Sequence, residues 1–345
     1  MPALSDEIDD ERRADELERT CRRLQRQLGE AKAKTADLVE AVYAASREAA
    51  VIVGKPAPVK IPQRDKREGT NETALLLLSD VHVGAVTATY NTEIARERVR
   101  ETVRRVVKLT EIQRSDHPVR DCVLVLMGDL IENTAIFAHQ SWAVDSSTFS
   151  QVFTAASIVQ EAVLTLLENF EMVTVYEVPG NHGRVGRGKG RQSLDYEGET
   201  NWDRVVGRVA MQQLEGVERL SWHPAESWYR MVTIGRYVAC CHHGDTIRQF
   251  GGNTPAAGIT RKHQAWASGV LEPFTDAYLG HFHTPMALPL ANGSRVFVSP
   301  AVVSDSEFGK EFIAASSPPG VRLHFIDGER GRITAEYLID LAGVI

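Results

Sequence analysis

Two uninterrupted apolar runs, Ala74-Leu75-Leu76-Leu77-Leu78 and Cys122-Val123-Leu124-Val125-Leu126-Met127, each stop abruptly at a short polar motif. Runs without polar alternation mark strands buried on both faces. Such strands need a layer on either side, which directs the chain toward an α/β architecture. The intervals supply the helices. One is expected from Thr92 to Ile112. A second is expected from Ser150 to Phe170, with Val152, Ala156, Val159, Ala162, Val163, Leu166 and Leu167 on one face. Val173–Val178 reads as a third strand, and Asn201–Gln213 as a further helix. Strands are then expected near Leu220–Trp222, Trp228–Ile234 and Tyr237–Cys241. After the segments Ala265–Ser268 and Phe274–Leu279, two hairpins turn at Asn292-Gly293 and at Asp327–Gly331. Strand and helix alternate in the first half, and the last third is mostly strand. That order predicts two packed sheets with helices outside.

Ahead of this body lies a different kind of sequence. Leu17, Cys21, Leu24, Leu28, Ala31, Thr35, Leu38, Val42 and Ala45 recur at alternating spacings of four and three, separated mostly by charged residues and Gln. This seven-residue repeat predicts an α-helical coiled coil over residues 1–52, pairing with itself as a homodimer or with a partner's helix. A lone helix packed on the body is the alternative. Residues 53–72 read as a linker, with Pro56, Pro58 and Pro62 and the basic residues Lys60, Arg64, Lys66 and Arg67. Residues 73–345 form the globular domain.

Composition excludes several classes. The chain of 345 residues is 43% hydrophobic and 25% charged, as ordinary globular proteins are. No stretch approaches the ~18 consecutive apolar residues of a membrane helix, and Met1–Glu7 lacks the basic and apolar blocks of a signal peptide. A cytoplasmic location without membrane contact is expected. Four cysteines in a chain this long do not make a disulfide framework. Cys240 and Cys241 are adjacent in a strand and should face opposite ways as buried thiols. The net charge of −7 does not call for nucleic acid, so any polyanion site must be local.

Five motifs end or follow strands: Ser79-Asp80-Val81-His82, Gly128-Asp129, Gly180-Asn181-His182, His242-His243-Gly244-Asp245 and Gly280-His281-Phe282-His283. Strand ends are where an α/β sheet gathers distant residues into one crevice. Carboxylates, an amide oxygen and imidazoles together suit two divalent ions, and the mixed nitrogen and oxygen set suits Mn²⁺, Fe or Zn²⁺ better than Ca²⁺. Each motif alone is common; five in order are not.

The ordered set resembles the calcineurin-like metallophosphoesterase superfamily over roughly Ala74 to Asp340. The resemblance implies a four-layer αββα sandwich. It implies that Asp80, His82 and His283 hold one metal ion and Asn181, His243 and His281 the other, with Asp129 bridging. His182 becomes the catalytic, non-ligand histidine. The ligand directly precedes glycine in that pattern, which selects His243 over His242. A carboxylate can offer an oxygen to each of two ions, and ions roughly 3.5–4 Å apart activate the water between them for in-line attack on phosphorus. His182 would assist the leaving group. Asn133 and Asp245 are candidates to orient the ligands.

The substrate is less sharply marked. Arg184, Arg187, Lys189 and Arg191 alternate with glycines after His182, a pattern that lets backbone and cations approach phosphate. A Gly-rich stretch, Gln249–Ile259, is expected as a lid or cleft wall between Arg248 and Arg261. One of Trp202, Trp222, Trp228 and Trp266 at most is expected to stack a base. Gly128-Asp129-Leu130 and the helical insertion after it resemble the SbcD-type DNA repair nucleases, including phage-encoded ones. Two features depart from that group: Gly183 stands where aspartate is usual, and the residues after His283 are expected to finish the sandwich and not to supply a DNA-capping domain. The resemblance implies a DNA nuclease, with Mn²⁺ as the expected metal. His243-Gly244-Asp245 also resembles the UDP-diacylglucosamine pyrophosphohydrolases, so a small-molecule phosphoesterase acting on a nucleotide or nucleotide-sugar pyrophosphate is one alternative. A non-catalytic coiled-coil scaffold is another.

Overall fold

The computed structural model describes residues 59–134, 136, 140–184, 201–247, 255–304 and 317–345, together with Glu40, Ala41 and Ala44. The chain divides into two units, Met1–Ala45 and Ser46–Ile345. The nine residues of the seven-residue repeat, and with them the expected coiled coil, fall outside the described residues.

In chain order the second unit contains β1 (Glu72–Leu78), α1 (Thr92–Gln113), β2 (Val119–Leu126), α2 (Thr148–Leu167), β3 (Met172–Glu177), α3 (Trp202–Gln213), β4 (Leu220–His223), β5 (Tyr229–Ile234) and β6 (Tyr237–His242). It continues with α4 (Ala256–Ala265), β7 (Asp276–Leu279), β8 (Met286–Pro289), β9 (Arg295–Val298), β10 (Gly320–Asp327) and β11 (Arg332–Asp340). A six-stranded sheet runs β11-β10-β1-β2-β3-β4 and a five-stranded sheet runs β5-β6-β7-β9-β8. β1, β2, β3 and β4 are mutually parallel, as are β6, β7 and β9. Both expected hairpins form, β8 with β9 and β10 with β11.

The two-residue period of β1 explains the layers. Leu75 and Leu77 join Val123, Val125 and Met127 in a core shared with Val232, Tyr237, Ala239, Cys241 and Phe297 of the other sheet. Ala74, Leu76 and Leu78 point the opposite way and are at most 2% exposed. The five-stranded sheet is divided in the same manner. Cys241 lies in the core between the sheets, whereas Cys240 packs outward with Ala277, Leu279 and Ile259 of α4. Both thiols are free and buried, as expected, and so is Cys122.

Local signals start three of the helices. Asn91, Ser147 and Asn201 each accept a hydrogen bond from a backbone N–H in the first turn. α2 is long and apolar enough to cross a membrane by length and composition alone, but here one of its faces, including Val152, Ala156, Val159, Val163 and Leu167, is buried and it packs on α1, α3 and β3. α4 corrects the sequence reading, which assigned residues up to Ile259 to a Gly-rich lid or cleft wall. Pro255 precedes α4 without a side-chain cap, and Gly258 lies inside it. Burial of Ile259 and His263 sustains the helix where propensity would not. Part of the Pro/basic linker is anchored to the body. The Asp65 carboxylate is buried, accepts from the Val119 N–H and pairs with Arg67 and Arg114.

A chain of polar groups crosses the core between the sheets. The Tyr237 hydroxyl lies 3.0 Å from Asp276 Oδ2 and 2.6 Å from the Tyr278 hydroxyl. The latter lies 2.9 Å from His324 Nδ1 on β10. Arg322 then donates to the Val298 carbonyl at 2.9 Å, returning to the five-stranded sheet. Burial and neighbouring Arg322 depress the His324 pKa to about 2, so the ring stays neutral and can serve the chain. Removing one member of a buried hydrogen-bonded pair leaves its partner unsatisfied. Tyr237→Phe should therefore cost about 1–3 kcal/mol, read as a lower urea midpoint at constant m. A loss under about 0.5 kcal/mol, the level of an ordinary surface change, would show that the chain carries no stability.

Candidate metal centre

The parallel strands β1, β2 and β3 end on one edge of their sheet, and β6 and β7 end together on the other. All five motifs leave these C-terminal ends, where open α/β sheets hold their ligands. The backbone there is unusual. Seven described non-glycine residues have positive φ, and six are Asp80 (54°), His82 (48°), Asp129 (51°), Asn133 (69°), His281 (65°) and His283 (58°). Left-handed backbone is unfavourable for residues with a side chain, and its concentration at one place is a signature of a functional constellation. Two glycines allow the close approach. A Cβ on Gly128 would lie 2.7 Å from the Gly180 Cα, and one on Gly280 would meet Ser79 and Asp80. Gly128 also has φ of 85°.

The side chains converge as three groups, one of them His82, Glu132 and His182. Asp80, His82 and His283 form the second cluster, and Asp129, His243 and His281 form the third. His283 Nε2 lies 3.2 Å from Asp80 Oδ1. His243 Nε2 lies 2.9 Å from Asp129 Oδ2 and 3.1 Å from Asn181 Oδ1. His82 Nε2 faces both acids, 3.8 Å from Asp80 Oδ1 and 3.9 Å from Asp129 Oδ2. That nitrogen is buried and has no hydrogen-bond partner, although the ring's other nitrogen is held by Glu132. A buried imidazole nitrogen left over between two carboxylates fits a cation, and the surrounding nitrogen and oxygen donors fit a transition-metal ion.

His182 belongs to the group with His82 and Glu132. Its backbone N–H donates to Asp129 Oδ1 at 2.7 Å, and its Nε2 stands 4.0 Å from Asp129 Oδ2. Its Nδ1 is surrounded by the Glu132 carbonyl at 2.9 Å, Gln140 Nε2 at 3.0 Å and Glu132 Oε2 at 3.4 Å. The His82 and His182 rings meet edge to face, with centroids 4.4 Å apart.

Several supporting residues escaped the sequence reading. Glu132 lies 2.7 Å from His82 Nδ1 and so holds both His82 and His182. It stands three residues after Asp129, a spacing that could have drawn attention. Asp203 accepts from the backbone N–H groups of Asp129, Leu130 and Gly180 at 2.8–3.0 Å, binding the ends of β2 and β3 together. In sequence it reads only as an acid in the first turn of a helix. Gln140, buried and bonded to Glu132 and His182, carries no local pattern at all.

The remaining expected residues fall in different places. Asn133 donates to the carbonyls of His182 and Arg184, at 2.7 and 3.0 Å, and so fixes the loop after His182. Arg184 and Asp245 form an ion pair with each other. Arg187, Lys189 and Arg191 lie outside the described residues, as does Arg248. His242 turns away from His243 and lies 2.9 Å from His263 on α4, nitrogen to nitrogen.

Electrostatics follow from burying so much charge together. Burial works against the ionised acids, yet His283 and His82 hold Asp80 well below the carboxylate range, and His243 and His182 do so for Asp129. Burial would likewise neutralise the rings, but Asp129 raises the His243 pKa to about 10. Asp80 and Glu132 raise His82 in the same way. Burial and the neighbouring charge of His243 lower His281 to about 4, leaving it neutral and free to donate its lone pair.

A profile of the family described as calcineurin-like phosphoesterase matches residues 73–314. Similar solved structures include wild-type Vps29 complexed with zinc from Entamoeba histolytica, at 11% identity over 77% of this chain and 98% of that one, with a TM-score of 0.34. Vacuolar Protein Sorting 29 from Cryptosporidium parvum is 13% identical over 78% of this chain and 98% of that one, with a TM-score of 0.36. Purple acid phosphatase PPD1 from yellow lupin is 12% identical over 83% of this chain and 55% of that one, with a TM-score of 0.34. No curated protein matches the chain.

Cation binding must compete with protons here. With its pKa at about 10, His243 carries a proton at neutral pH before a cation binds, and ligation expels it. Apparent affinity should therefore rise with pH, by about tenfold per unit for each proton displaced, between pH 6 and 8. Calorimetric titration of Mn²⁺ in buffers of different ionisation enthalpy would count the protons. An affinity independent of pH would remove His243 from the ligand set.

Proposed function

The chain belongs to the calcineurin-like phosphoesterase family, and we propose that it is a dimetal phosphodiesterase that cleaves DNA. Family membership and the candidate metal-binding residues support phosphoester hydrolysis. The observation that carries the proposal is the position of Asp129, one buried carboxylate facing His82 of one cluster and His243 of another. Asp80, His82 and His283 would hold one cation and Asn181, His243 and His281 the other, with Asp129 between them. Two divalent ions supply polarisation of the phosphoryl oxygens and an activated water at neutral pH.

The chain's own groups do the rest. His182 is tied through its backbone to Asp129 and through its ring to Glu132 and Gln140, so its orientation is set before substrate arrives. Burial opposes a charge on this ring, but Asp129 and Glu132 raise its pKa. It can therefore keep a proton near neutrality for the leaving oxygen of the ester. Asn133 and the Arg184–Asp245 pair steady the loops on either side. The basic Gly-rich run after Gly183 and the likeness to SbcD-type nucleases support DNA as the substrate. The His243-Gly244-Asp245 sequence supports the second reading, a small-molecule phosphoesterase acting on a nucleotide or nucleotide-sugar pyrophosphate.

Purified protein with Mn²⁺ should cleave single- or double-stranded DNA. Asp129→Ala should abolish cleavage, and His182→Ala should slow it by about 10²–10⁴-fold. Hydrolysis of bis-p-nitrophenyl phosphate with every DNA form left intact would sink the nuclease reading and leave the small-molecule one. Inactivity on all esters, with no metal found by elemental analysis, would favour a scaffold. The N-terminal repeat is proposed to pair chains. Deleting residues 1–50 should lower the mass seen by light scattering, and an unchanged mass would refute that pairing.

A further inference from the structure

Trp142 is 90% exposed, a rare state for the largest apolar side chain. It ends a three-residue helical turn, Gln140–Trp142, whose first residue is fully buried. Gln140 is the residue that touches His182 Nδ1, Nε2 to Nδ1 at 3.0 Å, and it also donates to the Glu132 carbonyl at 2.8 Å. Two backbone steps span at most about 7.6 Å, so the backbone that carries the indole is close behind the site.

The segment is firmly held. The Val86 N–H donates to the Ala143 carbonyl at 2.8 Å, and the Asp145 N–H donates to the Gly84 carbonyl at 3.0 Å. Ala85 and Val144 form a bridge, and the Asp145 carboxylate accepts from the Thr92 N–H and hydroxyl at 2.9 and 2.8 Å. Residues 140–145 are thus strapped to the stretch that follows His82 and, through Gln140, to Glu132 and His182. A strap held at both ends that presents an indole to water costs little binding entropy when a planar group lies on it.

The other four tryptophans are already engaged. Trp202 is 6% exposed and meets Phe149 edge to face. The Trp222 indole N–H donates to Glu177. Trp228 and Trp266 pack against each other and against His242. The sequence reading expected at most one of these four to stack a base and did not single out Trp142.

We propose that Trp142 is a stacking platform for a nucleobase next to the scissile phosphate. The inference rests on the proposed action on nucleic acid. Base–aromatic stacking suits any base, because every base offers a π face.

The test uses the full chain, a single-stranded oligodeoxynucleotide and the same strand with abasic sites flanking the cleaved phosphate. Trp142→Ala should raise KM for the normal strand by about 5- to 100-fold with kcat nearly unchanged, the mark of lost substrate binding. It should act like the wild type on the abasic strand, and Trp142→Phe should keep most of the affinity. A separate titration with chelator present follows tryptophan fluorescence. The oligonucleotide should quench the wild type, and Trp142→Phe should lose that component.

Normal cleavage by Trp142→Ala with unchanged quenching in Trp142→Phe overturns the inference and leaves the nuclease reading standing. Quenching that depends on Trp142 in a wild-type protein that cuts no DNA supports the platform and sinks the nuclease reading. Neither cleavage nor quenching sinks both. A lower mass for Trp142→Ala in light scattering, with quenching unaffected, would instead assign the indole to contact with a second copy and overturn the proposal.

Discussion

Two buried carboxylates, Asp80 and Asp129, both face the same imidazole nitrogen of His82. Like charges at such range repel by about 2–4 kcal/mol even at an effective dielectric near 20, and neither side chain reaches water. Much of the surrounding structure is an answer to that repulsion. His82, His243 and His283 crowd around the pair, and His182 lies just beyond. Backbone N–H groups add further compensation, His182 to Asp129 and His281 to Asp80. Glu132 then balances the rings from behind, held below the usual carboxylate range, against the pull of burial, by His182 and His82. The arrangement is a set of alternating charges built outward from one unfavourable contact, and divalent cations are the species that would resolve it most fully.

The architecture exists to make that contact possible. Asp80, His82, Asp129, His281 and His283 all sit in left-handed backbone beyond their strands, and glycines at 128 and 280 remove the side chains that would keep the strand ends apart. Asp203 draws β2 and β3 together through three backbone N–H groups, at the cost of a carboxylate whose pKa is raised by burial and by Asp129. None of these features strengthens the core. They spend conformational freedom on geometry, as expected where function overrides stability.

The donors were legible in the sequence because each belongs to a short motif at a strand end, and strand ends announce themselves where an apolar run stops. That ground put the motifs of Asp80, Asp129, Asn181 and His243 at one crevice, and the resemblance then named the residues. Alternation along the strand said that His242 and His243 face opposite ways, the resemblance chose His243, and the structure pairs His242 with His263. Glu132, Gln140 and Asp203 were hidden because their partners lie across the fold, and no spacing in the chain records a contact of that kind. α4 was hidden because its stability comes from burying Ile259 and His263, whereas its glycine and uncapped start read as loop. Trp142 was overlooked for a related reason: exposure is a property of the folded surface, and sequence composition treats all five tryptophans alike.

The two halves of the donor set belong to different sheets. Asp80, Asp129 and Asn181 follow strands of the six-stranded sheet, whereas His243, His281 and His283 follow strands of the five-stranded one. A displacement of one sheet along the other by a single residue, about 3.3 Å, would leave each sheet's hydrogen bonds whole and much of its apolar surface covered. It would nevertheless separate the halves by more than the length of a coordination bond. Activity thereby becomes a check on assembly: a misaligned sandwich, its Tyr278–His324 and Arg322–Val298 hydrogen bonds also broken, would be both weakened and silent.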